Sequence, residues 1–213
     1  MHYKVLFMEQ NDYLSHLADI SDILKKRTKF HALSGVSGML AGTYALIGAF
    51  VARRIIYSAP NVLYDDIRTN TFSPDIIKLA IVFGLVLIAA LGTGFYFSSK
   101  KAQKDNEKLF SPAAFGVLKN LSIPLVVGAV FVIVLYFRGY YDLMAATSLA
   151  FYGLALFAAS NYTFSEIRAL SLAVMATAMV SMFFPGYGLL FWAIGFGILH
   201  IVYGLIMYLK YDR

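Results

Sequence analysis

The chain has no cysteine, so disulfides, thiolate nucleophiles and cysteine-ligated metals are excluded at the outset. It is nearly as poor in other groups that carry chemistry. Of its four histidines, His2 and His16 lie in a polar N-terminal region and His31 at the edge of the first apolar run. Only His200 falls inside an apolar stretch. A lone histidine does not make a zinc site, and a bis-imidazole haem would need a second one at the same depth. No apolar stretch carries Asp or Glu near its centre. A carboxylate–histidine relay for hydrolysis is therefore missing, and no metal or cofactor is expected. Charged residues make up only 14% of the chain, too few for the solvated surface of a soluble domain of this length.

What the chain has in abundance is apolar surface. It is 60% hydrophobic and 16% aromatic, with a mean hydropathy of +0.69. Runs of roughly 18 or more apolar residues are long enough to span a bilayer. Six occur, which predicts an all-α integral membrane protein with six transmembrane helices in a compact bundle. The spans are expected at about 33–56, 76–98, 112–137, 142–160, 167–184 and 188–209, forming one domain over 33–213. The third apolar run begins only near Asn120. Ser111-Pro112 starts its helix earlier, with a hydroxyl cap and proline at the first helical position. A kink is expected near Pro124, which cannot bond back to Asn120. Ser73-Pro74-Asp75 is the same kind of start signal for the second span.

The net charge of +6 is explained by topology. Lys4, Lys25, Lys26, Arg27, Lys29, Lys100, Lys101, Lys104, Lys108, Lys119, Arg168, Lys210 and Arg213 fall on one side of a six-span arrangement. Arg53, Arg54, Arg68, Lys78 and Arg138 fall on the other. The positive-inside rule then puts both termini of a multi-pass chain in the cytoplasm. No interleaved aromatic and basic pattern calls for nucleic acid. A cleavable signal is not expected, because some thirty mostly polar residues precede the first span.

Residues 1–32 read as a cytoplasmic segment. Within it, 11–29 is amphipathic: Tyr13, Leu14, Leu17, Ile20 and Leu24 recur at helical spacing, with His16, Asp19 and Asp22 facing away. Its basic end, Lys25, Lys26 and Arg27, suits the anionic inner leaflet. The same face is the expected docking helix if a cytosolic or membrane protein partner binds. Asp65 and Asp66 in the first outer loop are too few for an oxygen cage around calcium. The inner loop from Ser98 to Phe110 is the expected hinge, and Thr163-Phe-Ser-Glu166 fits a capping box with Thr163 as the cap.

Small residues organise the first span. Ser34, Gly38 and Gly42 recur along one stripe, and Ala41, Ala45 and Ala49 along its neighbour. Helices in lipid gain little hydrophobic energy by touching, so close van der Waals packing over small residues drives association. The fifth span carries a second such stripe, Ala169, Ala173, Thr177 and Ser181. The expected packing pairs these two, with Ser34, Gly38, Gly42 and Ala45 meeting Ala173 and Thr177.

The stretch LSGVSGMLAGTYALIGA (33–49) and the run from Glu166 to Gly204, including FFPGYGLLFWAIGFGILHIVYG (183–204), resemble a group of small bacterial six-span inner-membrane proteins. The resemblance implies a topology and a location. It implies no catalytic residue.

His200 is the single ionisable candidate at mid-depth, and intramembrane ionisable residues are functional candidates by default. A ligand site there would draw on Tyr203, Thr43, Tyr44, Thr177 and Ser181. A structural histidine would need one donor and one acceptor among nearby hydroxyls and carbonyls. Three function classes follow. The first is a non-enzymatic partner-binding, assembly or sensory subunit, with a homo-oligomer or a protein partner as the expected assembly. The second is a small channel or carrier for an apolar or weakly polar molecule, with its site near His200. An intramembrane enzyme comes third. The sparseness of buried polar groups favours the first.

Overall fold

The computed structural model describes residue 30 and residues 33–56, 74–104 and 111–213. Six helices account for nearly all of them: α1 (Gly35–Ile56), α2 (Pro74–Lys104), α3 (Pro112–Phe137), α4 (Tyr141–Ala159), α5 (Ser165–Ser181) and α6 (Gly188–Asp212). There is no strand among the described residues. The amphipathic stretch 11–29, the loop 57–73 with Asp65 and Asp66, and residues 105–110 lie outside the described residues.

Five of the helices, all but α5, are long and apolar enough to cross a membrane. With 17 residues, α5 is the shortest, and it carries Glu166, Arg168, Ser171, Thr177 and Ser181. It is also among the best covered. Ile167, Leu170, Val174 and Ala178 of α5 pack with Leu149 and Leu156 of α4 to form the main core. Gly153 lets the two backbones approach, because a Cβ there would lie 3.2 Å from Ser171 O and from Met175 N. A helix shielded by its neighbours can be less apolar than one that faces lipid.

The helices run up and down, so each packs on a few neighbours. α1 lies between α2 and α6, α6 reaches α4 and α5, and α3 packs on α4. Short turns enforce this order. Gly139 (φ 74°) and Gly186 (φ 86°) take the left-handed backbone that turns α3 into α4 and α5 into α6. At the opposite end, the start of α1 touches the end of α6, since Gly35 N–H donates to Asp212 Oδ2 at 2.7 Å. The end of α2 and the starts of α3 and α5 gather there too. Ala102 and Ala113 pack around Phe30, and Phe30 N–H donates to Tyr162 O at 2.7 Å.

Three local expectations are corrected. The stretch from Ser98 is helical through Lys104 rather than a loop. Lys, Ala and Gln are strong helix formers, and Ala102 and Lys101 both find partners in the bundle. Thr163 does not cap α5. Its hydroxyl donates to Phe30 O at 2.9 Å, and the helix begins after Phe164 without a side-chain cap. The α1 stripe packs on α6 and not on α5, for reasons set out below. At α3, Ser111 Oγ accepts from Ala114 N–H at 3.2 Å with Pro112 at the helix start, and the helix continues through Pro124.

Candidate functional site

The polar centre of the bundle is built on a defect in α6. Over Ala193–Ile198 the helix widens to a π turn, and Leu199 N–H bonds to Ile194 O instead of Gly195 O. Gly195 O thereby loses its α-helical donor. His200 takes that place, with Nδ1 2.9 Å from Gly195 O. A carbonyl only accepts, so Nδ1 carries the proton, and in the neutral ring Nε2 is left as an acceptor. Tyr152 of α4 fills it, with its hydroxyl 2.7 Å from Nε2. Both ring nitrogens are thus engaged inside the protein. The imidazole is 7% exposed and lies 12 residues from each end of α6, or about 18 Å.

Rings pack around this contact. Tyr152 meets Phe196 at 4.8 Å, Phe196 meets Trp192 at 4.9 Å, and Trp192 meets Phe83 of α2 at 4.8 Å. This chain links α4 to α2 across α6. Dry surroundings raise the cost of leaving any polar partner unmade.

The other candidate ligand residues are dispersed. Tyr203 sits one turn from His200 and packs on the α4–α5 core, with its ring beside Gly38. Thr43 is exposed, and its hydroxyl donates back to Met39 O at 2.9 Å. Tyr44 is half-buried on α1. Thr177 donates to Ala173 O within α5 at 2.8 Å. Ser181, at the far end of α5, is buried with its Oγ unpartnered, as is Ser99 Oγ in α2. Tyr152 is the partner that sequence reasoning missed. Its one signal was its place on the α4 face that also carries Leu149 and Leu156.

The packing stripe of α1 meets glycine on α6. A Cβ at Gly42 would lie 2.5 Å from Gly197 O, and one at Gly204 would run into Met39 N. Gly35 faces Gly204 O and the backbone of Tyr208 in the same way. Such backbone-to-backbone contact needs Cβ missing at the crossing, which Gly197 and Gly204 provide and Ala173 and Thr177 do not. Ala45 is buried in α1, while Ala173 lies half-buried in α5.

At the end where α1 begins and α6 finishes, charges are paired, and the Lys101–Asp212 pair is largely covered. Asp212 accepts from Lys101 Nζ at 2.6 Å, Ser34 Oγ at 3.1 Å and Gly35 N–H at 2.7 Å. Lys101 also donates to Leu33 O at 3.0 Å and lies over the Phe164 ring. This carboxylate caps the positive start of α1 and ties it to α2. Glu166, ahead of the apolar part of α5, accepts from Lys210 and from the Tyr211 hydroxyl at 3.0 Å. Burial pushes its carboxyl up, but bonds from Lys210, its own backbone, Tyr211 and Ser165 outweigh that and hold it at about 2.

Among the described residues, no group of three or more His, Cys, Asp or Glu is placed to hold a metal. Compared with protein-family models, curated proteins and solved structures, the chain matches none.

Proposed function

We propose that this is a non-enzymatic six-span membrane protein that works by assembling with other helices in the bilayer through α2. The carrying observation is how little of α2 is covered. This 31-residue helix packs lengthwise on α1, while Ile77, Ile81, Leu85, Leu87, Ile88, Leu91 and Phe95 are more than half exposed. A Cβ placed at Gly84, Gly92 or Gly94 would meet nothing within 4 Å. Glycine weakens a helix interior by roughly 0.5–1 kcal/mol relative to Ala. Glycine on an open face of a membrane helix suits the close approach of a second helix. A second copy of this chain is the simplest partner.

Six crossings are supported by the ends of the helices. The end of α4 lies with Phe30 and the start of α1, whereas α6 begins a full helix length away from Asp212. α5 joins those two ends, so it crosses if its neighbours do. The crossing it makes is about 167–184, α5 with the turn that follows, and Glu166 lies outside it. The charge distribution supports cytoplasmic termini, and the resemblance of 33–49 and 166–204 to small bacterial proteins supports an inner-membrane location. Labelling from outside should modify a cysteine introduced at Asn61 and spare one at Gln103.

The saturated ring of His200 supports assembly over a carrier role, since a ligand would first have to displace Tyr152 or Gly195 O. The test of assembly is the molar mass of the detergent-solubilised protein by light scattering. The parent should exceed one chain, and Gly92→Leu should fall to one chain with an unchanged melting temperature. A monomeric parent in native-lipid nanodiscs would refute the reading.

A further inference from the structure

Four polar side chains gather on the outer wall of the α4–α5 seam. Ser160, Asn161, Ser165 and Arg168 line an open dent of about 180 Å³. It lies where α4 ends and α5 begins, at the level of the paired charges around Asp212. Arg168 is held in place from two sides. Its Nη2 donates to Asn161 Oδ1 at 2.9 Å, and its guanidinium lies 5.3 Å from the centre of the Phe157 ring. A guanidinium has five N–H donors in a planar fork that matches phosphate oxygens. Fixing one donor on Asn161 leaves the others for a ligand.

The nearest carboxylate is turned elsewhere. Glu166 accepts from Lys210 and Tyr211 of α6, with Ser165 Oγ on its second oxygen at 3.1 Å. Below the dent, Leu154 (46% exposed), Phe157 (38%) and Leu172 (53%) form an open apolar track along both helices. Leu172 lies one turn beyond Arg168 on the same face of α5. A free anion would use only the dent. A phospholipid would use the dent and the track together.

We propose that the Arg168 dent binds the phosphate of an anionic phospholipid whose acyl chain lies along Leu154, Phe157 and Leu172. The proposal rests on the bilayer-embedded reading above. Arg168 is the binding cation, Asn161 orients it, and the apolar track selects lipid over a soluble phosphate.

The test uses the full chain, delipidated in a neutral detergent. It is titrated with dioctanoyl phosphatidylglycerol, dioctanoyl phosphatidylcholine or inorganic phosphate while its melting temperature is followed. Phosphatidylglycerol should raise the midpoint saturably, and the other two should not at the same concentrations. Arg168→Ala should weaken the effect about tenfold, as expected for loss of a charge-assisted hydrogen bond. Lys104→Ala, an exposed cation at the same end, should leave it unchanged. If Arg168→Ala does not fold, Asn161→Asp decides, because its carboxylate would pair with Arg168 and repel the phosphate. Variants that titrate like the parent would overturn the proposal. So would an equal response to phosphatidylcholine, or an inorganic phosphate response matching the lipid's. A chain that stays dispersed without detergent would instead overturn the bilayer reading itself.

Discussion

Removing the hydroxyl of Tyr152 isolates the contact that centres the bundle. In Tyr152→Phe the ring still packs against Phe196 and His200, so little volume is lost. What disappears is the donor to His200 Nε2. An unpaired buried acceptor costs about 1–3 kcal/mol in water-soluble proteins. Interhelical hydrogen bonds in membrane proteins average about 0.6 and reach about 1.7 kcal/mol, because the unfolded chain in lipid also finds partners. The expected loss for Tyr152→Phe is therefore about 0.6–1.7 kcal/mol. His200→Leu should cost more, roughly 1–3 kcal/mol, because it strands the Tyr152 hydroxyl and also Gly195 O, which the π turn has already deprived of Leu199 N–H. The two groups share one bond, so the double variant should be less destabilised than the sum, with a coupling of about 0.6–1.7 kcal/mol. Reversible unfolding of the four proteins in mixed micelles closes the cycle. A coupling of zero, or a His200→Leu variant as stable as the parent, would refute a structural role for this pair.

Four further outcomes are expected. Gly42→Leu should lower stability by at least the ~1–3 kcal/mol typical of overpacking, since Gly197 O stands 2.5 Å from its Cβ and backbone cannot step aside. By contrast Gly92→Ala, whose added Cβ meets nothing within its own chain, should be neutral or stabilising by thermal melting in detergent dilute enough to hold single chains. Asp212→Ala should cost about 1–3 kcal/mol and loosen the starts of α1 and the end of α2 together, read as faster amide exchange at Gly35. Glu166 is held at about 2 in the folded chain against an ordinary 4.5. Its stabilisation is present above the ordinary value and lost as pH falls from there toward 2, and Glu166→Gln should flatten the melting temperature across that window.

Much of the architecture is legible in the chain because length and apolarity decide whether a helix can span. Ser111-Pro112 marks the start of α3 twenty-odd residues before any hydropathy window would end it, and the cap forms there. Pairing is less legible. A small-residue stripe says that something comes close, but not which helix, and the fifth-span stripe expected for α1 is not the one it meets. The difference lies in one atom per residue: Gly197 and Gly204 lack the Cβ that Ala173 and Thr177 keep, and only the former allow backbone contact. Thr163 and Glu166 carry the spacing of a capping box, yet long-range partners claim both side chains, Phe30 O for one and Lys210 for the other. Nothing local announces such competition. The same holds for His200, whose isolation among apolar residues marks it, while its partner Tyr152 lies 48 positions away on another helix. The π turn that frees Gly195 O has no local signature beyond its glycines.

Assembly through α2 requires that this helix meet another helix in the membrane. The chain has no cysteine, so a single one introduced at Gly92 reports on that face alone. Oxidation in native membranes with copper phenanthroline should give a cross-linked dimer from Gly92→Cys, or a cross-linked adduct with a partner protein of defined mass. The same treatment of Ala155→Cys, buried within α4, should give only monomer. No cross-linked species from Gly92, Gly84 or Gly94, at a protein level where a membrane control dimer is captured, would contradict assembly through α2.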